Sequence, residues 1–343
     1  MPIEKRINGV DLNGPSYNST YRAALHNKLS AIEPDSKIIK PMLFQDYVQP
    51  LSADLTKSLR SLEGKIVNIT EQDREIIYLS PLGAFGLNAL LTETSSLKIA
   101  HVTGRAADVV AEPTVELSAE VYRRRISGDS NVTSLGTIHR VVRLQRYSDP
   151  KFTTSFEMFS TIDSSSSGSK YLDEEMVTRH ILRYYSFLHD TFPSANIRTT
   201  LGNLCISEKF ISSEARETHN SKDELLQKFP SQLQHPLQIQ DLSQKEIDSI
   251  MSLNVLHREV EKMIQVYQKL PEFIQINTDF DLSRILGLGH YNGLAFMMHI
   301  DDITIIDGGS VDWVAQLTSN KKEKSVVSGL GLEICARILN QYV

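Results

Sequence analysis

Apolar positions along the chain recur with two periods, and their alternation predicts the elements. From Tyr21 to Ile32, Leu25, Leu29 and Ile32 fall at helical spacing. After Pro34-Asp35-Ser36, Lys37 to Leu43 reads as a short extended segment interrupted by Pro41. Lys65–Thr70 and Glu75–Ser80 alternate and are rich in Ile and Val, so with Glu71-Gln72-Asp73-Arg74 between them they predict a hairpin. Gly83-Ala84-Phe85-Gly86 is expected to open a helix. Thr137 to Arg146 predicts a strand with Ile138, Val142 and Leu144 toward the core and His139, Arg143 and Gln145 toward a polar cleft or solvent. Phe152–Asp163 predicts a second strand, ending in the loop Ser164–Ser169. Asp173 to Asp190 predicts a helix, with Asp173 as N-cap and Met176, Val177, His180, Ile181, Tyr184, Phe187 and Leu188 on one face.

Residues 208–242 are polar, contain Pro230 and Pro236, and read as a connection or small insertion. Ser243-Gln244-Lys245-Glu246 is a capping box that starts a long amphipathic helix running to Leu270. Leu294–His299 and Ile303–Asp307 predict a hairpin about Asp301-Asp302, and Gly329–Tyr342 a closing helix. Hairpins interleaved with helices favour an α+β fold on a largely antiparallel sheet over a doubly wound one.

Composition narrows the function. Of 343 residues, 41% are hydrophobic and 23% charged, as in ordinary globular proteins. Lys+Arg 36 against Asp+Glu 42 gives a net charge of −6, which argues against stand-alone nucleic-acid binding. Apolar stretches such as Asn88–Leu91 and Gly293–Met298 fall far short of the roughly 20 residues a membrane helix needs. A polar N-terminus without a signal-peptide core, and only two cysteines, Cys205 and Cys335, make a cytoplasmic protein the expectation. Gly287-Leu288-Gly289-His290-Tyr291-Asn292-Gly293 is not a dinucleotide loop, because its third glycine is one residue late and a strand follows. Walker, His-Glu-x-x-His, Cys-x-x-Cys and Gly-x-Ser-x-Gly signatures are absent, so neither a cofactor nor a metal site is expected. Arg123-Arg124-Arg125, beside Glu116 and Glu120, reads as a solvated face.

The order of the segments carries more than any one of them. The first helix and its Pro41 strand, Tyr78 to Ala84, His139 to Gln145 and Phe156 to Phe159 together resemble the catalytic domain of class II aminoacyl-tRNA synthetases. Leu286 to Phe296 resembles the histidyl family's Arg-Gly-Leu-Asp-Tyr-Tyr-Thr-Gly-x-x-Phe segment. Asp307 to Val314 resembles its Gly-Gly-Gly-Arg-Tyr-Asp-Gly-Leu, and Ser328 to Ile334 its Gly-Ile-Gly-Leu-Glu-Arg motif. The resemblance spans about residues 20 to 343 and implies a class II synthetase-like antiparallel sheet flanked by helices, in a single domain over 1–343 with residues 1–18 as an extension.

The departures decide what chemistry the resemblance implies. Arg143 matches the arginine that holds the α-phosphate in the family, with Gln145 in place of a glutamate. The adenine-stacking arginine falls on Ile334 and the arginine of the histidyl segment on Leu286. The family's Arg-Pro-Glu-Gly-Thr aligns with Ser80-Pro81-Leu82-Gly83-Ala84, and the Gln and Glu of its Phe-x-Gln-Phe-Gly-Val-Glu strand fall on Met158 and Ile162. Tyr291 persists beside His290, and the chain ending at Val343 leaves no room for a C-terminal anticodon-binding domain. Arg143, Gln145, His290, Tyr291 and Glu333 are thus ligand-binding candidates without catalytic ones. A synthetase core so altered most resembles the regulatory subunit of ATP phosphoribosyltransferase, which is not itself an enzyme and assembles with a short catalytic subunit in histidine biosynthesis. The competing readings are a pseudo-synthetase scaffold or nucleic-acid polymerase accessory protein, and a divergent class II ATP-dependent ligase.

The resemblance also implies a two-fold interface built on residues 21–43, where Ile38, Ile39, Met42 and Leu43 offer apolar surface. Light scattering at micromolar concentration should therefore show a homodimer without any partner, and Ile39→Asp should dissociate it.

Overall fold

The computed structural model describes residues 6–7, 10–11, 27, 43–44, 48–92, 98–102, 107–128, 132–145, 153–169, 172–211, 237–238 and 257–340. Apart from residue 27, the helix expected over 21–32, the extended segment up to residue 42 and the start of the helix expected from 243 lie outside these residues.

Strands β1 (Arg6–Ile7) and β2 (Val10–Asp11) pair antiparallel. Helix α1 (Ala53–Thr70) starts where the Ser52 hydroxyl accepts the Leu55 amide, and it buries Leu55, Leu59, Leu62, Ile66 and Thr70. That spacing runs through 65–70, so the expected first strand of a hairpin is the end of a helix. The alternation of Ile and Val there is a local coincidence within a longer helical period. Glu75–Ile76 alone forms β3. Strands β4 (Leu82–Ala84), β5 (His101–Val102) and β6 (Ala107–Val109) make a small sheet ordered β4-β6-β5. The expected helix from Gly83 is displaced to α2 (Leu87–Thr92).

Helix α3 (Pro113–Ile126) begins with proline at its first turn, where the missing N–H costs nothing. Strands β7 (Val132–Val142) and β8 (Ser155–Ser165) pair along their length. Ser164 and Ser165, expected in a loop, end β8 and are buried, and the Ser164 hydroxyl donates to Glu323 at 2.7 Å. Helix α4 (Leu172–Thr191) starts one residue before Asp173, which is therefore not its N-cap but lies 3.6 Å from Lys324. After β9 (Ile197–Asn203) come α5 (Leu204–Phe210), β10 (Leu237–Gln238), α6 (His257–Lys269), α7 (Glu272–Gln275) and β11 (Thr278–Asp281). The expected hairpin is β12 (Leu294–Ile300) and β13 (Ile303–Val311), turned by Asp301 at φ 51°. Helix α8 (Trp313–Thr318) follows. Residues Lys324–Leu330 form β14, so the expected closing helix is shorter, α9 (Leu332–Leu339).

The main sheet is ordered β10-β11-β9-β12-β13-β14-β8-β7-β3, antiparallel except for the β11/β9 and β3/β7 pairs. Helices cover both faces. Leu62, Ile66, Phe159, Ile181, Phe187, Phe296, Val326 and Ala336 share one core, while Val115, Leu135, Ile162, Ala295, Trp313 and Val327 share the other. Neighbours Val326 and Val327 thus point to opposite cores. Double coverage corrects the one-sided reading of β7: Leu135, Thr137 and Val141, on the face expected to be polar, are buried, while Leu144 is exposed. No described helix is long and apolar enough to cross a membrane.

Charge is buried at the middle of the sheet. The Asp163 carboxylate on β8 lies 3.1 Å from Arg74, 3.3 Å from His180 Nε2 and 3.6 Å from Arg179. His180 Nδ1 is 2.7 Å from the Ser328 hydroxyl, which is 2.9 Å from both Tyr184 and Thr161. Burial alone would raise the Asp163 pKa, but Arg74, His180 and Arg179 together hold it well below the usual carboxylate range. Burial drives the His180 pKa down against the pull of Asp163.

An unfolded histidine titrates near about pH 6.5 and folded His180 lower, so the unfolded chain binds the extra proton between the two. The His180 contribution is full above about pH 6.5 and shrinks as pH falls through that window. In thermal melts, His180→Gln should flatten the fall in stability between about pH 7 and 5 relative to the parent. Asp163→Asn should cost about 3 kcal/mol in denaturant unfolding, because it leaves the buried Arg74 without its counter-charge.

Candidate functional site

A cavity of about 490 Å³ opens beside the ends of β7 and β14. One wall is the start of α3. The chain leaves the small sheet through Ala111 and Glu112 and turns at Pro113, which brings Glu112 and Thr114 to the cavity. The Thr114 hydroxyl donates to Glu112 at 2.9 Å. Arg143, one residue past β7, donates from Nε to the Ala111 carbonyl at 3.0 Å and from Nη2 to Glu112 at 2.8 Å, with its guanidinium 5.2 Å from the Phe156 ring centre.

The facing wall is the loop into β12. Gly287 adopts φ 91°, and a Cβ there would lie 2.5 Å from the Tyr291 ring; one on Gly309 would lie 2.9 Å from the same ring. Tyr291 is thus wedged between two glycines. His290 packs edge-on to Tyr291 and Trp313, at centroid distances of 4.6 and 4.8 Å. Burial pushes the His290 pKa down and the Tyr291 pKa well above 10, so neither is charged near pH 7. Behind Tyr291 the buried Arg284 reaches Asp307 at 2.5 Å, and Asp307 faces the cavity. Met158 and Val327 contribute apolar floor, and Glu333, Ile334 and Arg337 from α9 complete the enclosure.

All five ligand-binding candidates, Arg143, Gln145, His290, Tyr291 and Glu333, line this one cavity. Ser80–Ala84 do not. Glu112 and Thr114 instead place a carboxylate and a hydroxyl in its wall. Their signal was present in the sequence: Glu112-Pro113-Thr114 ahead of an amphipathic stretch marks a helix start. Ile334 lines the cavity, whereas Ile162 lies in the sheet core and Leu286 is exposed outside the wall. Lys98, Asp307 and Arg337 are wall residues that the sequence did not single out. Of the dimer candidates, Ile38, Ile39 and Met42 fall outside the described residues, and Leu43 is exposed.

No family model matches the sequence, and no curated protein does. Solved structures do match. An ATP phosphoribosyltransferase regulatory subunit/histidyl-tRNA synthetase from Bacillus halodurans superposes with a TM-score of 0.65 at 12% identity, over 85% of this chain and 81% of that one. The fold is that of a class II histidyl-tRNA synthetase-like domain. Histidyl-tRNA synthetase from a Nostoc species matches at 0.61 and 14% identity, over 85% of this chain and 73% of its own. A histidine–tRNA ligase subunit from Alicyclobacillus acidocaldarius also matches at 0.61 and 14%, over 86% and 96%.

Within this histidyl-type fold the cavity is balanced in charge. Lys98, Arg143 and Arg337 line it together with Glu112, Asp307 and Glu333. Both arginines give donors to wall carboxylates, Arg143 to Glu112 and Arg337 to Glu333 at 2.8 Å. Among the described residues, no cluster of His, Cys, Asp and Glu is arranged to hold a metal ion. Such a wall suits a small ligand with polar and apolar parts rather than a concentrated polyanion.

The wedge makes a direct prediction. A Cβ on Gly309 would stand 2.7 Å from the Leu294 carbonyl and 3.0 Å from the Ala295 Cα, and backbone cannot yield as a side chain does. Gly309→Ala should lower unfolding stability by about 2 kcal/mol, as overpacking does. It should also alter the near-ultraviolet signals of Tyr291 and Trp313.

Proposed function

We propose that this chain is a non-catalytic regulatory subunit of an ATP phosphoribosyltransferase, acting in histidine biosynthesis by assembly with a short catalytic subunit and itself forming a homodimer. The observation that carries the reading is the charge balance of the cavity. Activation of an amino acid concentrates negative charge on the ATP phosphates and needs unopposed cations around them. The resemblance places a phosphate-facing arginine at Leu286 and an adenine-stacking one at Ile334; neither position holds a cation here, and Arg143 and Arg337 are paired to Glu112 and Glu333. The cavity is nonetheless kept, with Thr114, Gln145, His290 and Tyr291 in its wall, which fits a ligand-sensing role. Similarity to a structure described as an ATP phosphoribosyltransferase regulatory subunit supports the same reading.

The nucleic-acid accessory alternative loses its main support. Arg123 pairs with Glu120 at 2.9 Å, Arg124 with Glu75 at 2.6 Å, and Arg125 is largely buried on Glu323 at 2.9 Å. The expected solvated basic face is a set of ion pairs, one within α3 and two that bind it to its surroundings, and it leaves little field for a phosphate backbone.

Mixing the purified chain with a short-form ATP phosphoribosyltransferase from the same organism should give a hetero-oligomer on gel filtration with raised turnover. Histidine-dependent ATP–pyrophosphate exchange should stay at background, since each missing cation is worth about 2–4 kcal/mol in such a transition state. Exchange above background would instead support the divergent ligase. Absence of a complex at tens of micromolar, or a complex with unchanged turnover, would overturn the assignment.

A further inference from the structure

Arg337 lies one turn beyond Ile334, where the synthetase resemblance places an arginine, and it reaches the cavity by another route. Its Nη2 donates to Glu333 at 2.8 Å, and no bond from its Nε or Nη1 is found to the described residues. Arg143, by contrast, spends both Nε and Nη2 on the protein. Among the arginines of the wall, Arg337 therefore keeps the most donors for a ligand.

Glu333, 2% exposed, is shared. Arg140 on β7 reaches it at 3.0 Å and also lies 3.6 Å from Glu157 on β8. The Glu157 carboxyl in turn contacts that of Glu63 on α1, which is 2.5 Å from Arg60. One oxygen of Glu63 is buried without a hydrogen-bond partner. The result is a ladder of alternating charge, Arg60, Glu63, Glu157, Arg140, Glu333 and Arg337, with one fault: two carboxyl groups meet in the middle. Two like charges at contact, both mostly shielded from water, favour one shared proton.

We propose that Arg337 is an oxyanion-binding residue of the cavity whose availability is set by a proton held between Glu63 and Glu157, so that an anionic ligand group is taken up together with that proton. A proton on the pair releases Arg140 from Glu157. Arg140 then neutralises Glu333 more fully, and Arg337 is freed to face the ligand. Conversely, an anion drawing Arg337 away leaves Glu333 to compete for Arg140, and the carboxyl pair holds its proton more tightly. The coupling is reciprocal by linkage. Burial first, and then contact with Glu63, raise the Glu157 pKa to about 7 against the opposing pull of Arg140 and Arg60. The device is thus poised near neutrality. It holds whichever catalytic partner the chain has, so its failure and that of the regulatory assignment are separable.

The test uses the full chain labelled with ¹³C at the glutamate carboxyls. One resonance should titrate near neutral pH, vanish in Glu157→Gln, and shift upward by about 0.5 pH unit or more in Arg337→Gln. Equilibrium dialysis with radiolabelled sulfate should show affinity rising about 3-fold or more between pH 8 and 6.5, the range above the usual histidine pKa. Arg337→Gln should abolish that binding, and Glu157→Gln should remove its pH dependence. Should Glu157→Gln fail to fold by circular dichroism, Glu63→Gln removes the other half of the pair and should lower the Glu157 titration and weaken the pH dependence of sulfate binding. A carboxyl titration unmoved by Arg337→Gln overturns the proposal. So does sulfate binding that is absent at tens of millimolar, independent of pH, or equally pH-dependent without the pair.

Discussion

The buried carboxylate of Asp163 is the constraint on which the arrangement turns. Removing a charge from water is costly unless partners replace the lost hydration. Here they come from three directions: Arg74 from the turn after α1, Arg179 and His180 from α4, and through His180 the Ser328 hydroxyl on β14. Satisfying one group fixes α4 over the junction of β8 and β14. The other face of β8 then presents Phe156 and Met158 to the cavity, and the end of β14 sets where Gly331 turns the chain into α9. The site inherits its position from a charge buried beneath it.

The capacity of the cavity to hold charge depends on a few side chains. Positive and negative groups of its wall pair at short range, so each is already partly satisfied before any ligand arrives. A ligand must compete with those contacts. Such a wall can discriminate by exchange of partners rather than by bare attraction.

How much was legible follows from the length of each periodic signal. The β12/β13 hairpin and α4 were readable because many consecutive positions obeyed one period. Residues 65–70 misled because six residues satisfy a strand pattern while the decisive positions, Leu55, Leu59 and Leu62, lie outside that window. Strand β14 was hidden because Gly329 and Gly331 resemble a helix-opening glycine pair, although Gly329 pairs with Ser160 across the sheet. Five cavity residues were found from the order of segments. Glu112 and Thr114 were missed because only the turn at Pro113 into α3 brings them to the cavity. Arg337 could not be anticipated, since only the path of α9 shows that a residue one turn late reaches the same space.

Trp313 is the chain's only tryptophan, and it is buried with its ring edge-on to His290. The whole indole emission of the protein therefore originates at the back of the cavity wall. An imidazolium quenches an indole that a neutral imidazole leaves bright, so the protein carries an optical gauge of the His290 proton, built in at the point where a ligand would be felt.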